Sequence, residues 1–134
     1  MSSVEEFCAD LEAALLRGHD RVLESAEPKG FIDERLFKMA IARPWTVAGG
    51  HQQFPDPFAK AAAIAESIAH NSPFVSGNKR TASLAMPFVL LAYDYQLRNQ
   101  INDRIALLER AAAGLITVQD VRDYIARYAV KLPP

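Results

Sequence analysis

A chain of 134 residues is the size of one domain with a single moderate core, and half of its residues are apolar, an ordinary globular composition. A formal net charge of -1 excludes simple electrostatic attraction to nucleic acid or an anionic membrane as the main mode of binding. The single cysteine, Cys8, excludes an internal disulfide.

Glu5, Glu6 and Asp10 come early, so no basic and apolar leader is visible. The longest apolar run, Leu84 to Tyr93, is roughly half of what a membrane span needs. The expectation is a cytoplasmic protein in a reducing compartment, with Cys8 a buried core thiol.

Helical spacing recurs along the chain and strand-like alternation is nearly absent. The expected fold class is therefore all-α, one domain over residues 1–134. Ser3 with Glu6 makes a capping-box pattern before Phe7, Leu11, Ala14 and Leu15, and Gly18 is read as that helix's end. Glu24 to Gly30, with Pro28, is a connection. Asp33 predicts an N-cap for a helix through Leu36, Phe37, Ala40 and Ile41, which Pro44 stops near Arg43. From Pro44 to Pro57 the pattern breaks at Gly49, Gly50 and Pro55, so this stretch reads as a loop or small hairpin. Asp56 and Pro57 then open a helix along Ala61, Ile64, Ala65 and Ile68 to about Asn71.

A short loop, Ser72 to Ser76, leads into a helix from about Asn78 to Leu97. Ala82 to Ala92 is apolar on every side, which predicts the central, most buried element, bent at Pro87. A helix after Asn102 and Asp103 carries Ile105, Leu108 and Ala112 and closes at Gly114. Thr117 with Asp120 caps the last helix, with Val121, Tyr124, Ile125 and Tyr128 on its apolar face.

The stretch richest in chemistry is Ser72-Pro-Phe-Val-Ser-Gly-Asn-Lys-Arg-Thr-Ala82. It enters the start of a buried helix, where free N–H groups attract anions and Gly77 lets the backbone approach a ligand closely. Asn78, Lys79 and Arg80 add donors and two charges within one turn, a set suited to nucleotide phosphates. Taken alone, such a turn reads more simply as a solvated helix cap. It lacks the spacing of a P-loop.

This segment resembles the Fic/Doc (Fido) signature His-Pro-Phe-x-Asp/Glu-Gly-Asn-Gly/Lys-Arg, in its death-on-curing (Doc) form ending Gly-Asn-Lys-Arg-Thr-Ala. Phe74, Gly77, Asn78, Lys79, Arg80, Thr81 and Ala82 match as they stand. The likeness extends over roughly residues 5 to 130, including Ala42-Arg43-Pro44, Phe58 to Ala63 and the pattern from Ala112 onward. It implies a helical bundle with a central buried helix and a flap, Trp45 to Phe54, that aligns a target peptide. It also implies phosphate-binding roles for Gly77, Asn78, Lys79 and Arg80, and an anchoring role for Phe74. Doc-branch toxins use ATP to phosphorylate elongation factor Tu and are restrained by a separately encoded antitoxin.

The departures fall on the chemistry. Ser72 stands where the family's general base, a histidine, would be, and Ser76 where its Mg2+ carboxylate would be. A serine hydroxyl cannot act as an unaided base at neutral pH, a loss of about 10²–10⁴ in rate, and it is a poor ligand for a hard cation. The favoured reading is thus a Doc-like protein of a toxin–antitoxin system with impaired transfer from ATP. One alternative is an active kinase or nucleotidyl transferase with a relocated base such as His70; another is a helical binding module. His70 itself reads as a surface residue, His51 as a plain loop residue, and His19 as a helix-end residue without functional signal. The family's inhibitory pattern, Ser/Thr-x-x-x-Glu-Gly/Asn, does not occur.

Overall fold

The computed structural model describes residues 3–134. Six α-helices dominate them: α1 (Val4–Val22), α2 (Glu34–Ala42), α3 (Pro57–Asn71), α4 (Asn78–Ala92), α5 (Ile101–Ala112) and α6 (Val118–Tyr128). Two small antiparallel pairs complete the fold, β1 (Val47–Ala48) with β2 (His51–Gln52) and β3 (Tyr95–Leu97) with β4 (Ala129–Lys131). Among the described residues no helix is long and apolar enough to cross a membrane.

Local signals account for most boundaries. Asp33 accepts from the Arg35 N–H and Asp56 from the Ala59 N–H, each satisfying a donor that the helix itself leaves free. Thr117 and Asp120 form a reciprocal capping box. At the start of α1, Ser3 Oγ accepts from the Glu6 N–H. Gly49 and Gly50, both at positive φ, make the two-residue turn between β1 and β2, as a twisted hairpin requires. Beyond α5, the N–H of Leu115 bonds Arg110 O and that of Gly114 bonds Ala111 O, closing the helix through a left-handed Gly114.

Packing centres on α3 and α4, which lie against each other. α4 also touches α1, α5 and β3, while α3 touches α2, α5 and α6. Small side chains (Ala61, Ala62, Ala63, Ala65, Ala69) let the neighbours approach, so α3 is buried along almost all of Ala59 to Ala69. It is more fully enclosed than α4, whose Leu84, Pro87 and Phe88 are only half-buried.

Three boundaries and the burial of one residue differ from the sequence expectation. Helix α1 continues past Gly18 to Val22. There the glycine serves packing, since a Cβ on it would lie 2.9 Å from Leu84 Cδ1 of α4. Helix α4 stops at Ala92 rather than Leu97: Asp94 takes a left-handed conformation, and Tyr95–Leu97 pairs with Ala129–Lys131 instead. Helix α5 begins at Ile101, before Asn102 and Asp103, behind Gln100, which makes no side-chain cap. Cys8 is half-buried, and burial pushes its thiol pKa up.

Candidate functional site

The loop between α3 and α4 is held almost atom by atom. Ser72 ends α3 in a left-handed conformation, φ 47°, with its N–H on Ile68 O and its hydroxyl 3.4 Å from Ala69 O. Pro73 O accepts from the N–H groups of both Ile32 and Asp33, and the Val75 N–H donates to Gly30 O. Phe74, 1% exposed, stacks between His19 and Phe31, with ring centroids 3.8 and 4.9 Å away. Complete burial of such a ring is worth about 1.5–3 kcal/mol, so the loop has an anchor in the core.

The next residues set the start of α4. Gly77 is its N-cap at φ 75°, with no side chain capping the helix. The N–H groups of Gly77, Asn78, Lys79 and Arg80 have no acceptor among the described residues. They lie beside an open cavity of about 360 Å³ lined by Ser72, Gly77, Asn78, Lys79, Arg80, Ile105 and Glu109. Free N–H groups at a helix start, beside a lysine, suit an anion.

The side chains of the motif divide into two sets. Lys79 has no hydrogen-bond or ion-pair partner among the described residues, leaving it available to a ligand. Asn78 is engaged: its amide donates to Phe74 O and its Oδ1 accepts from Phe74 N–H, each at 2.9 Å. Arg80 is engaged too. It donates to both Glu27 carboxylate oxygens at 2.6 Å and to Val22 O at 2.7 Å. That hydrogen bond from Arg80, helped by the Glu24 N–H, holds the Glu27 carboxyl below its ordinary pKa.

The two serines are not brought together. Ser72 lines the cavity, whereas Ser76 donates its hydroxyl to Pro28 O at 2.8 Å and does not line it. A divalent cation does not fit at Ser76: the group is neutral and turned to a carbonyl. Among the described residues no three of His, Cys, Asp or Glu converge as a metal centre.

His70 is exposed and lines a different cavity, about 470 Å³ between α2 and α3, with Arg43, Glu66 and Ser67. His51 is exposed on β2. Neither lines the cavity of Ser72. The flap is fixed at its base, where the buried Lys60 ammonium donates to Gln52 Oε1 and to Phe54 O, and burial lowers its pKa. Trp45 packs against Phe7 and donates its indole N–H to the Tyr93 hydroxyl.

Three residues escape a sequence reading. His19 lies inside α1, 3% exposed, and its Nε2–H donates to Ser76 O at 2.8 Å. Glu27 belongs to what reads as a plain connection. Glu109 shares a face of α5 with Ile105, one turn before it, and the helix period makes that pairing legible. That this face meets the motif is not.

The Fic/DOC family model matches residues 6–90. The chain is also similar to the "Toxin Doc" of Mycolicibacterium smegmatis, with 37% identity over 95 residues, covering 62% of this chain and 73% of that one. The family match includes the motif loop and its anchor, Phe74; this chain belongs to the Fic/DOC family, and its likeness within it is to a Doc toxin.

Proposed function

We propose that this protein is a Doc-type member of a toxin–antitoxin system that binds nucleotide phosphates at the start of α4 but transfers phosphate or nucleotide from ATP to a protein hydroxyl poorly or not at all. The observation carrying the proposal is the division within one motif. Residues 77 to 80, whose N–H groups have no acceptor among the described residues, line the cavity, while Ser72 offers no base and Ser76 donates its hydroxyl to Pro28 O. Loss of a base alone costs about 10²–10⁴ in rate. The relative's name, Toxin Doc, supports a separately encoded antitoxin as partner, and the Doc resemblance makes elongation factor Tu the target to try first.

One observation favours a second reading, an active transferase. Glu109 is a carboxylate on the same cavity as Ser72, where it could take a proton from a target hydroxyl.

Titration calorimetry with ATP and ADP, with labelled ATP offered alongside elongation factor Tu or lysate proteins, tests the proposal. Binding without label transfer is expected, with transfer returning in a Ser72→His/Ser76→Asp variant. Label transfer by the parent that is lost in Glu109→Gln would establish the active reading. Absence of nucleotide binding would leave a helical module that uses the groove for a partner segment.

A further inference from the structure

The Ser76–Gly77 peptide is the last before α4, and its two polar atoms have different fates. Its C=O accepts from His19 Nε2–H at 2.8 Å, while its N–H, on a residue lining the cavity, has no acceptor among the described residues. A peptide is planar and trans, so its C=O and N–H point in opposite directions. Holding the carbonyl toward α1 therefore turns the amide away from α1.

Among the described residues, His19 is the only hydrogen-bond partner of this peptide's own polar atoms. Gly77 sits at φ 75°, and a glycine passes between left- and right-handed backbone at little steric cost. Ser76 holds its hydroxyl on Pro28 O, which fixes a side chain and not the peptide. His19, by contrast, is rigid: 3% exposed, with its ring 3.8 Å from that of Phe74 at an interplanar angle of 15°. A carbonyl only accepts, so Nε2 carries the proton. Asp20 Oδ1 lies 4.0 Å from Nδ1 on the solvent side.

We infer that His19 is a positioning residue for the anion site: by bonding Ser76 O it sets the Ser76–Gly77 peptide so that the Gly77 N–H is presented to a phosphate. This rests on the nucleotide-phosphate reading above and adds to it a residue from α1, outside the motif.

Two substitutions separate the roles of the ring. His19→Phe keeps the stack on Phe74 and loses the donor; His19→Gln keeps a donor near the Nε2 position and loses the stack. Affinity for ADP and for inorganic phosphate is measured by calorimetry, stability by thermal melting, and the peptide by the Ser76 carbonyl carbon and Gly77 nitrogen resonances. His19→Phe is expected to bind about tenfold more weakly, the worth of one hydrogen bond, with the Gly77 signal shifted. His19→Gln should melt lower yet bind within about threefold of the parent. Affinity that follows the melting temperature, or is unchanged in both variants, overturns the inference. If the parent binds neither ADP nor phosphate, the proposed function fails. The resonances then decide on their own, and a Gly77 signal in His19→Phe identical to the parent's overturns the positioning role. A parent spectrum with no proton on His19 Nε2 overturns it whether or not the variants fold.

Discussion

The carboxamide of Asn78 closes a ring of two hydrogen bonds with the backbone of Phe74, donating to its C=O and accepting from its N–H at 2.9 Å each. The motif asparagine therefore shapes the loop that precedes it, while its own backbone N–H has no acceptor among the described residues. Asn78→Asp places a carboxylate oxygen against the Phe74 carbonyl and leaves that acceptor without a donor. The expected loss is about 1–3 kcal/mol, read as a lower urea midpoint at neutral pH. Protonating the aspartate restores a donor, so the deficit should shrink in acid.

Gly77 is expected to resist even alanine. At φ 75° a Cβ is strained whatever the space, and here it would also lie 3.1 Å from Leu23 Cδ2 and 3.5 Å from the His19 ring. The left-handed conformation alone costs about 1–2 kcal/mol. Gly77→Ala should lose at least that in urea denaturation, with faster amide exchange at Asn78 to Arg80.

The Glu27–Arg80 pair has a defined pH signature. Glu27 has its pKa lowered from 4.5 in the folded chain, chiefly by the hydrogen bond from Arg80. A depressed carboxylate contributes stability that is fully present above its unfolded value and lost as pH falls through the folded one. The difference in unfolding midpoint between parent and Glu27→Gln should thus be constant from pH 7 down to about pH 5 and vanish in stronger acid. A difference that persists unchanged in strong acid would assign the tether to packing instead of charge.

Lys60 offers a test of the flap. The residue is 5% exposed, and burial lowers its pKa while its ammonium donates to Gln52 Oε1 and Phe54 O. Lys60→Met removes a costly buried charge together with its bonds, so stability should change by less than about 1 kcal/mol. The descending arm of the hairpin should loosen: exchange of the Gln53 N–H, bonded to Thr46 O, is expected to rise well beyond that of core amides.

Much of this protein follows from local chemistry that a sequence displays. The caps at Asp33, Asp56 and Thr117, the glycine turn at Gly49 and Gly50 and the stop at Gly114 are each decided by one or two residues. The motif from Phe74 to Ala82 likewise marks the family and the cavity from sequence, because those residues are contiguous on one loop and one helical turn. Burial order, the length of α1 and the end of α4 are different: Gly18 stays helical because Leu84 packs over it, and Tyr95–Leu97 leaves the helix because Ala129–Lys131 offers a ladder. The tertiary structure alone decides which motif groups are free. Arg80, Asn78 and Lys79 read as three equivalent donors, yet Glu27 engages the first, the Phe74 backbone engages the second, and the third is left to the cavity. Those partners lie up to 53 residues away in the chain, and hydrogen bonding across that separation follows from how the helices pack, which no local pattern encodes.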